Sequence, residues 1–260
     1  MVAKRTFGTL YVNGWPVVPG SRWTEVVESI DLKSTEPRNA ISWVMVNGLL
    51  VADHTILLGV SWDNLYDNGM IFGKDVLVDR LPYRVRSLKI GGYKDASCEW
   101  HDFLNEVGED DDLWHWKEAF FWGQEMDEMR EDIRQKTWSA EDREIIKPYR
   151  VYGGEELGPR FWNSYCSFYR DKSIGFRPVL EPISPVINDA LVDSKVMIWS
   201  NTGSAICGYL KEFTSYDLVL DDCIQLAQGV GGESNFAKSG HGRQIFIDRK
   251  EVFSVQAYQE

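Results

Sequence analysis

A chain of 260 residues has room for one large domain or two ordinary ones, and 43% hydrophobic with 26% charged side chains is the balance of a folded protein rather than a disordered one. A net charge of −12 disfavours a generic nucleic-acid coat, which relies on a basic surface and counterion release, and no polybasic run offers itself to anionic lipid. No apolar run is long enough to cross a bilayer and the first residues lack a secretory signal, so the scattered Cys98, Cys166, Cys207 and Cys223 read as reduced thiols of a cytoplasmic protein, in host cytoplasm if the gene is viral.

The predicted elements begin with two hairpins. Thr9 to Val12 and Trp15 to Val18 flank Asn13-Gly14, and Trp43 to Val46 and Leu49 to Val51 flank Asn47-Gly48. Asn-Gly between apolar strands supplies the two positive-φ residues of a tight turn. Between the hairpins, residues 23–32 (WTEVVESIDL) carry apolar side chains at helical spacing and predict a short helix. Residues 75–88 alternate as a hairpin, and residues 98–105 (CEWHDFLN) predict a helix. The acidic run 106–112 reads as a solvated loop. Residues 114–124 and 140–146 complete a middle of helix and loop, before strands at 161–165 and 174–181.

Pro182, Pro185 and a polar stretch to Asp193 read as a linker. Beyond it come five short strands, around residues 196–199, 205–210, 218–220, 245–247 and 252–255. Gly208 lies where a missing side chain lets the second of these bend sharply. Five bent strands in so short a stretch bury a core by curling into a small barrel.

This tail resembles the Sm-like (LSm/Hfq) family. The matching features are the turn Gly203, the mid-strand Gly208, the segment Phe213 to Leu220 and the closing stretch Ile247 to Val252. The likeness implies a small SH3-like β-barrel, ring-type homo-oligomers and a ligand at subunit edges. It departs from the family in having Thr214 after Phe213 and lysine after Arg249, which weakens RNA binding as the inherited function.

Residues 41–181 resemble a second family, the bacterial and phage C-type-lectin-fold proteins, which include formylglycine-generating-enzyme-like and retroelement-diversified binding domains. The match rests on Trp62, Leu65, residues 83–86 (YRVR), Glu99-Trp100, Trp114, Trp116, Trp122, Gln124-Glu125, Trp162-Asn163-Ser164 and residues 174–181 (IGFRPVLE). It implies an adaptable binding surface.

Little in the sequence points to catalysis. There is no phosphate-binding loop, nucleophile elbow or zinc-protease signature. Cys98, His101 and His115 fall short of the four ligands of a structural zinc site, and Ser164 replaces the carboxylate that a lectin-type calcium site needs beside Trp162-Asn163.

The sequence therefore reads as an α+β protein: a C-type-lectin-like mixed domain (1–183), a linker (184–193) and a small all-β Sm-like barrel (194–260). It reads as a non-enzymatic, cofactor-free, homo-oligomeric binding protein of phage or prophage type. Its ligand is a small molecule, in the sharpest form a nucleotide signal of host defence. Protein recognition, as in a receptor-binding or adaptor module, and Sm-like RNA binding are the alternatives. The candidate ligand residues are Tyr216, Asp217, Arg249 and Lys250 on the barrel, and Trp114, Trp116, Trp162 and Asn163 on the first domain. An arginine can grip phosphate oxygens in a fork while a tyrosine stacks on a base.

Overall fold

The computed structural model describes residues 4–47, 49–79, 81–91, 98–126, 149–154, 162–183, 187–200, 204–214, 217–227, 237–239, 244–248 and 251–258. The chain opens with β1 (Lys4–Val12), turns into β2 (Trp15–Pro16) and passes through β3 (Ser21–Arg22) to β4 (Ile30–Lys33). β5 (Ala40–Val46), β6 (Leu49–Ala52) and β7 (Leu57–Leu58) precede α1 (Trp62–Asp67), and β8 (Lys74–Val78) and β9 (Leu81–Ser87) form the next hairpin. After α2 (Glu99–Val107) and α3 (Asp111–Trp114) come β10 (Phe120–Met126), β11 (Tyr149–Gly153), β12 (Trp162–Cys166), β13 (Ile174–Phe176) and β14 (Pro178–Pro182). A 3₁₀ turn (Asp189–Leu191) leads to β15 (Lys195–Ser200), β16 (Ala205–Phe213), β17 (Asp217–Ala227), β18 (Ala237–Ser239), β19 (Ile245–Asp248) and β20 (Val252–Ala257).

These strands form three sheets. The first runs β2-β1-β5-β6-β14-β9-β8, with β4 also on β1; the second runs β12-β11-β10-β13-β7-β3; the third runs β18-β19-β17-β16-β15-β20 and is a half-barrel. The α+β expectation, with a mixed first domain, is thus overturned. Among the described residues there are twenty strands, while α1, α2 and α3 are only six, nine and four residues long.

Two misread segments account for much of the difference. Residues 23–29 form no helix, and Ile30 and Leu32 instead alternate inward on β4, paired with β1. The aromatic run at Phe120 extends as β10 between β11 and β13, where flat rings pack on a pleated surface better than on a helix.

Both Asn-Gly turns hold two-residue hairpins. Val12 faces Trp15 and Val46 faces Leu49, with Asn13, Gly14 and Asn47 all at positive φ.

The first sheet curls until its far edge meets its start. Lys74 pairs with Asp31 at 2.6 Å, Asp79 in the β8–β9 turn accepts from the Thr35 backbone N–H at 2.8 Å and from the Thr35 hydroxyl, and the Gly8 N–H donates to Thr35 Oγ1 at 2.7 Å. The interior is filled by Trp43, Tyr83, Phe176 and Trp122 with aliphatic neighbours. A second core gathers Trp100, Trp114 and Phe121 around α2.

In the half-barrel, β15 has two working faces. Val196 and Ile198 point into its own core with Ile206, Leu210, Leu220 and Ile247, whereas Met197 and Trp199 face the first sheet. This is the period-2 alternation of a strand buried on both sides. Ile187 and Leu191, inside the expected linker, pack on the half-barrel core. No helix among the described residues is long and apolar enough to cross a membrane.

Candidate functional site

β1 sends Arg5 and Phe7 to one face while Lys4 and Thr6 are exposed. The Phe7 ring lies 5.9 Å from Trp43 and 5.7 Å from Tyr83, and its carbonyl accepts from the Trp43 indole N–H at 2.8 Å. This is the mouth of the curled first sheet. Across it lie Met197 and Trp199 of β15, Ala205 of β16 and Tyr258 after β20. Between the two walls is a cavity of about 280 Å³, whose lining also includes Asp79 and Tyr83. Barrel mouths and the boundaries between packed bodies are common ligand sites.

Gln256, fully buried, joins the walls. Its amide N–H donates to the Pro82 carbonyl at 2.6 Å, and its amide oxygen accepts from the Trp199 indole N–H at 3.2 Å. One side chain thereby ties β20 to the start of β9 and sets the Trp199 ring at the cavity.

Arg5 supplies the positive charge. Its guanidinium carbon is 5.8 Å from the Trp199 ring centre, within cation–π range. Nη1 donates to the Lys4 carbonyl at a long 3.5 Å. Nε and Nη2 are buried and have no hydrogen-bond partner among the described residues. Burial pulls the guanidinium below its ordinary pKa. Burial also pushes the Tyr83 phenol up, with a further push from the Asp79 charge, so this ring stays neutral.

A larger hollow of about 550 Å³ lies over α2. Its floor is stiffened by Arg86, which donates to both Glu99 oxygens at 2.7 and 2.5 Å and to Glu181 at 2.5 Å. Glu125 lines it, raised in pKa by burial and holding the Ile90 N–H at 3.2 Å. Cys98 at its edge caps α2: the sulfur accepts from the His101 N–H at 3.4 Å, and burial pushes the thiol up to about 11. That makes it an inert thiol at neutral pH.

Of the residues singled out from sequence, the described Trp114, Trp116, Trp162, Asn163 and Asp217 line neither of these two hollows. Trp114 is fully buried and donates to the Gly108 carbonyl at 3.0 Å; Trp116 is buried and donates to the Glu109 carbonyl at 3.2 Å. The acidic run expected as a loop is helical at both ends, in α2 and α3; both tryptophans pin the short link between them to the second core, and neither lines a ligand cavity described above. Trp162 packs on that core from β12, and Asn163 Oδ1 accepts from the Ser164 N–H at 2.8 Å. Asp217 is exposed at the start of β17, opposite Asp248. Tyr216, Arg249 and Lys250 lie outside the described residues. The residues that do line the inter-sheet cavity, Arg5, Phe7, Tyr83, Trp199 and Tyr258, were missed. Their only sequence signal is alternation, Arg5 with Phe7 and Met197 with Trp199.

No family model matches the chain, and neither a curated protein nor a solved structure matches it.

Proposed function

We propose that this chain is a non-enzymatic binding protein that captures a small molecule in the cleft between the first sheet and the half-barrel. The observation that carries the reading is that cleft itself: a cavity of about 280 Å³ with aromatic walls from both bodies and a cationic side chain, Arg5, two of whose nitrogens have no hydrogen-bond partner among the described residues. In its sharpest form the ligand is a nucleotide signal of host defence and the protein is of phage or prophage type, an assignment that rests on the sequence resemblances. Assembly as a homo-oligomer follows the same resemblance, and the half-barrel leaves β18 and β20 as the outer strands of its sheet, where strand addition satisfies an open edge.

The test is native mass spectrometry of protein purified from its own host, beside Trp199→Leu. A small molecule carried by the wild type and lost by the variant supports the reading. No carried mass, together with no calorimetric heat from a panel of linear and cyclic nucleotides, sinks it.

A second reading, protein recognition, has its own observation. Tyr66 and Phe72 are 52% and 57% exposed and stand against Trp62 at 5.1 and 6.1 Å. Exposed aromatic groups of this kind are enriched in protein interfaces.

A further inference from the structure

We propose that the inter-sheet cleft takes a compact planar ligand: an aromatic ring bearing one oxyanion, either a carboxylate or a phosphate monoester. The inference rests on the reading of this cleft as the ligand site and names the ligand's chemistry.

The Nε–H and Nη2–H of an arginine are parallel donors on one edge of a planar cation, spaced to meet two oxygens of one carboxylate or phosphate. On Arg5 both are buried and neither finds an acceptor among the described residues. A buried charged donor left without an acceptor is costly, and since both nitrogens are closed to solvent in the empty protein, a turn of the Arg5 side chain toward the cleft lets an entering oxyanion relieve that penalty. The one carboxylate in the lining does not do this. Asp79 is engaged by the Thr35 backbone N–H and hydroxyl, and it forms no ion pair with Arg5 among the described residues. A second positive charge stands beside the cleft, where Lys195 Nζ lies 5.1 Å from the Tyr258 ring centre.

The rings define the rest of the ligand. Phe7, Tyr83, Trp199 and Tyr258 offer flat apolar faces, on which a planar ring stacks with little regard to its substituents. Size limits it from above. A cavity of about 280 Å³ sits at the foot of the roughly 300–1,000 Å³ range of ligand pockets. It has room for one ring system with its anion, such as a mononucleotide, and not for a dinucleotide.

The experiment is calorimetric titration of the full chain with adenosine 5′-monophosphate, indole-3-carboxylate, adenosine and inorganic phosphate. Wild type is compared with Arg5→Ala, Arg5→Lys and Trp199→Leu, with far-ultraviolet dichroism as the check on folding. At least one of the two ring acids binds about tenfold or more tightly than adenosine and phosphate do separately, and which one tells phosphate from carboxylate. Arg5→Ala weakens that binding by about tenfold or more, and Arg5→Lys does not restore it, because an ammonium has no fork. Arg5→Gln serves if Arg5→Ala does not fold.

The proposal is overturned if neither ring acid binds more tightly than adenosine, or if affinity for the one that does is unchanged in the arginine variants. If the purified protein instead carries a neutral or cationic compound that Trp199→Leu loses, the cleft is a ligand site and only the anion assignment fails. If nothing is carried and no probe binds, both fail.

Discussion

Arg177 is the clearest case of one side chain organising its surroundings. It is fully buried, and its guanidinium donates to the carbonyls of Ala52 at 2.9 Å, Asp53 at 2.7 Å and Trp114 at 2.5 Å. It also lies 4.8 Å from the Trp100 ring centre and 5.3 Å from that of Phe121. Carbonyl dipoles and ring faces, rather than a carboxylate contact, hold the charge, and burial depresses its pKa. Arg177→Met keeps much of the volume but strands three carbonyls. Urea unfolding is expected to show a loss of about 3–5 kcal/mol, and a loss below about 1 kcal/mol would show the carbonyls to be satisfied without it.

Glu125 gives a pH-dependent test at the same scale. Burial raises its folded pKa above the ordinary 4.5, so between 4.5 and the raised value the folded state binds more protons than the unfolded one. Stability from this group therefore falls as pH rises through that window and stays low above it. Glu125→Gln is expected to melt higher than wild type at pH 7, with the difference closing near pH 4.5 and below. A constant difference across the range would remove ionisation as its cause.

At the scale of elements, two glycines mark where strands touch. A Cβ on Gly175 would lie 1.9 Å from the Leu57 carbonyl oxygen, inside the β13–β7 pairing. Gly175→Ala is expected to abolish soluble expression, and a variant that melts within a few degrees of wild type would contradict that close approach. On β16, a Cβ on Gly208 would meet Cys223 Sγ at 2.7 Å, and the pairing with β17 shifts register between Cys207 and Tyr209. Gly208 was legible as a place where its strand departs from regular pairing, because a strand glycine among apolar residues has few other uses. The Asn-Gly hairpins were legible for a similar reason: turn chemistry is local and written in two adjacent residues. Residues 23–32 failed because spacing in a short window fits two periods, and pairing with β1 decided between them. The cleft was illegible because residues 5, 7, 79, 83, 199 and 258 meet only after the first sheet has curled and the half-barrel has docked on it. The tryptophans chosen from sequence stood out for their number, and most of a protein's tryptophans serve its core, as Trp114 and Trp116 do here.

At the scale of the whole molecule, the position of the half-barrel on the first sheet decides whether the cleft exists. Its contacts there include Met197, Ala205 and Cys207, which join the first core, and the Gln256 amide. Gln256→Leu keeps the volume and removes both hydrogen bonds. The Pro82 carbonyl retains the Ile183 N–H at 3.1 Å, but the Trp199 indole N–H loses its acceptor. A fully buried donor without a partner costs about 1–3 kcal/mol and the half-buried Trp199 indole less than that, and the leucine cannot hold the indole in place. The expected outcome is a lower melting temperature with a fraction of the half-barrel undocked, read as faster amide exchange in β15 and β20 while β5 and β6 stay protected. A ligand that touches Arg5 on one wall and Trp199 on the other binds only the docked state, so it should raise the melting temperature of Gln256→Leu as its concentration rises. It should also bind that variant more weakly than wild type, by the fraction of molecules undocked. Undiminished affinity, with exchange in β15 and β20 as slow as in wild type, would mean that apolar packing alone seats the half-barrel and that Gln256 is a passive buried amide.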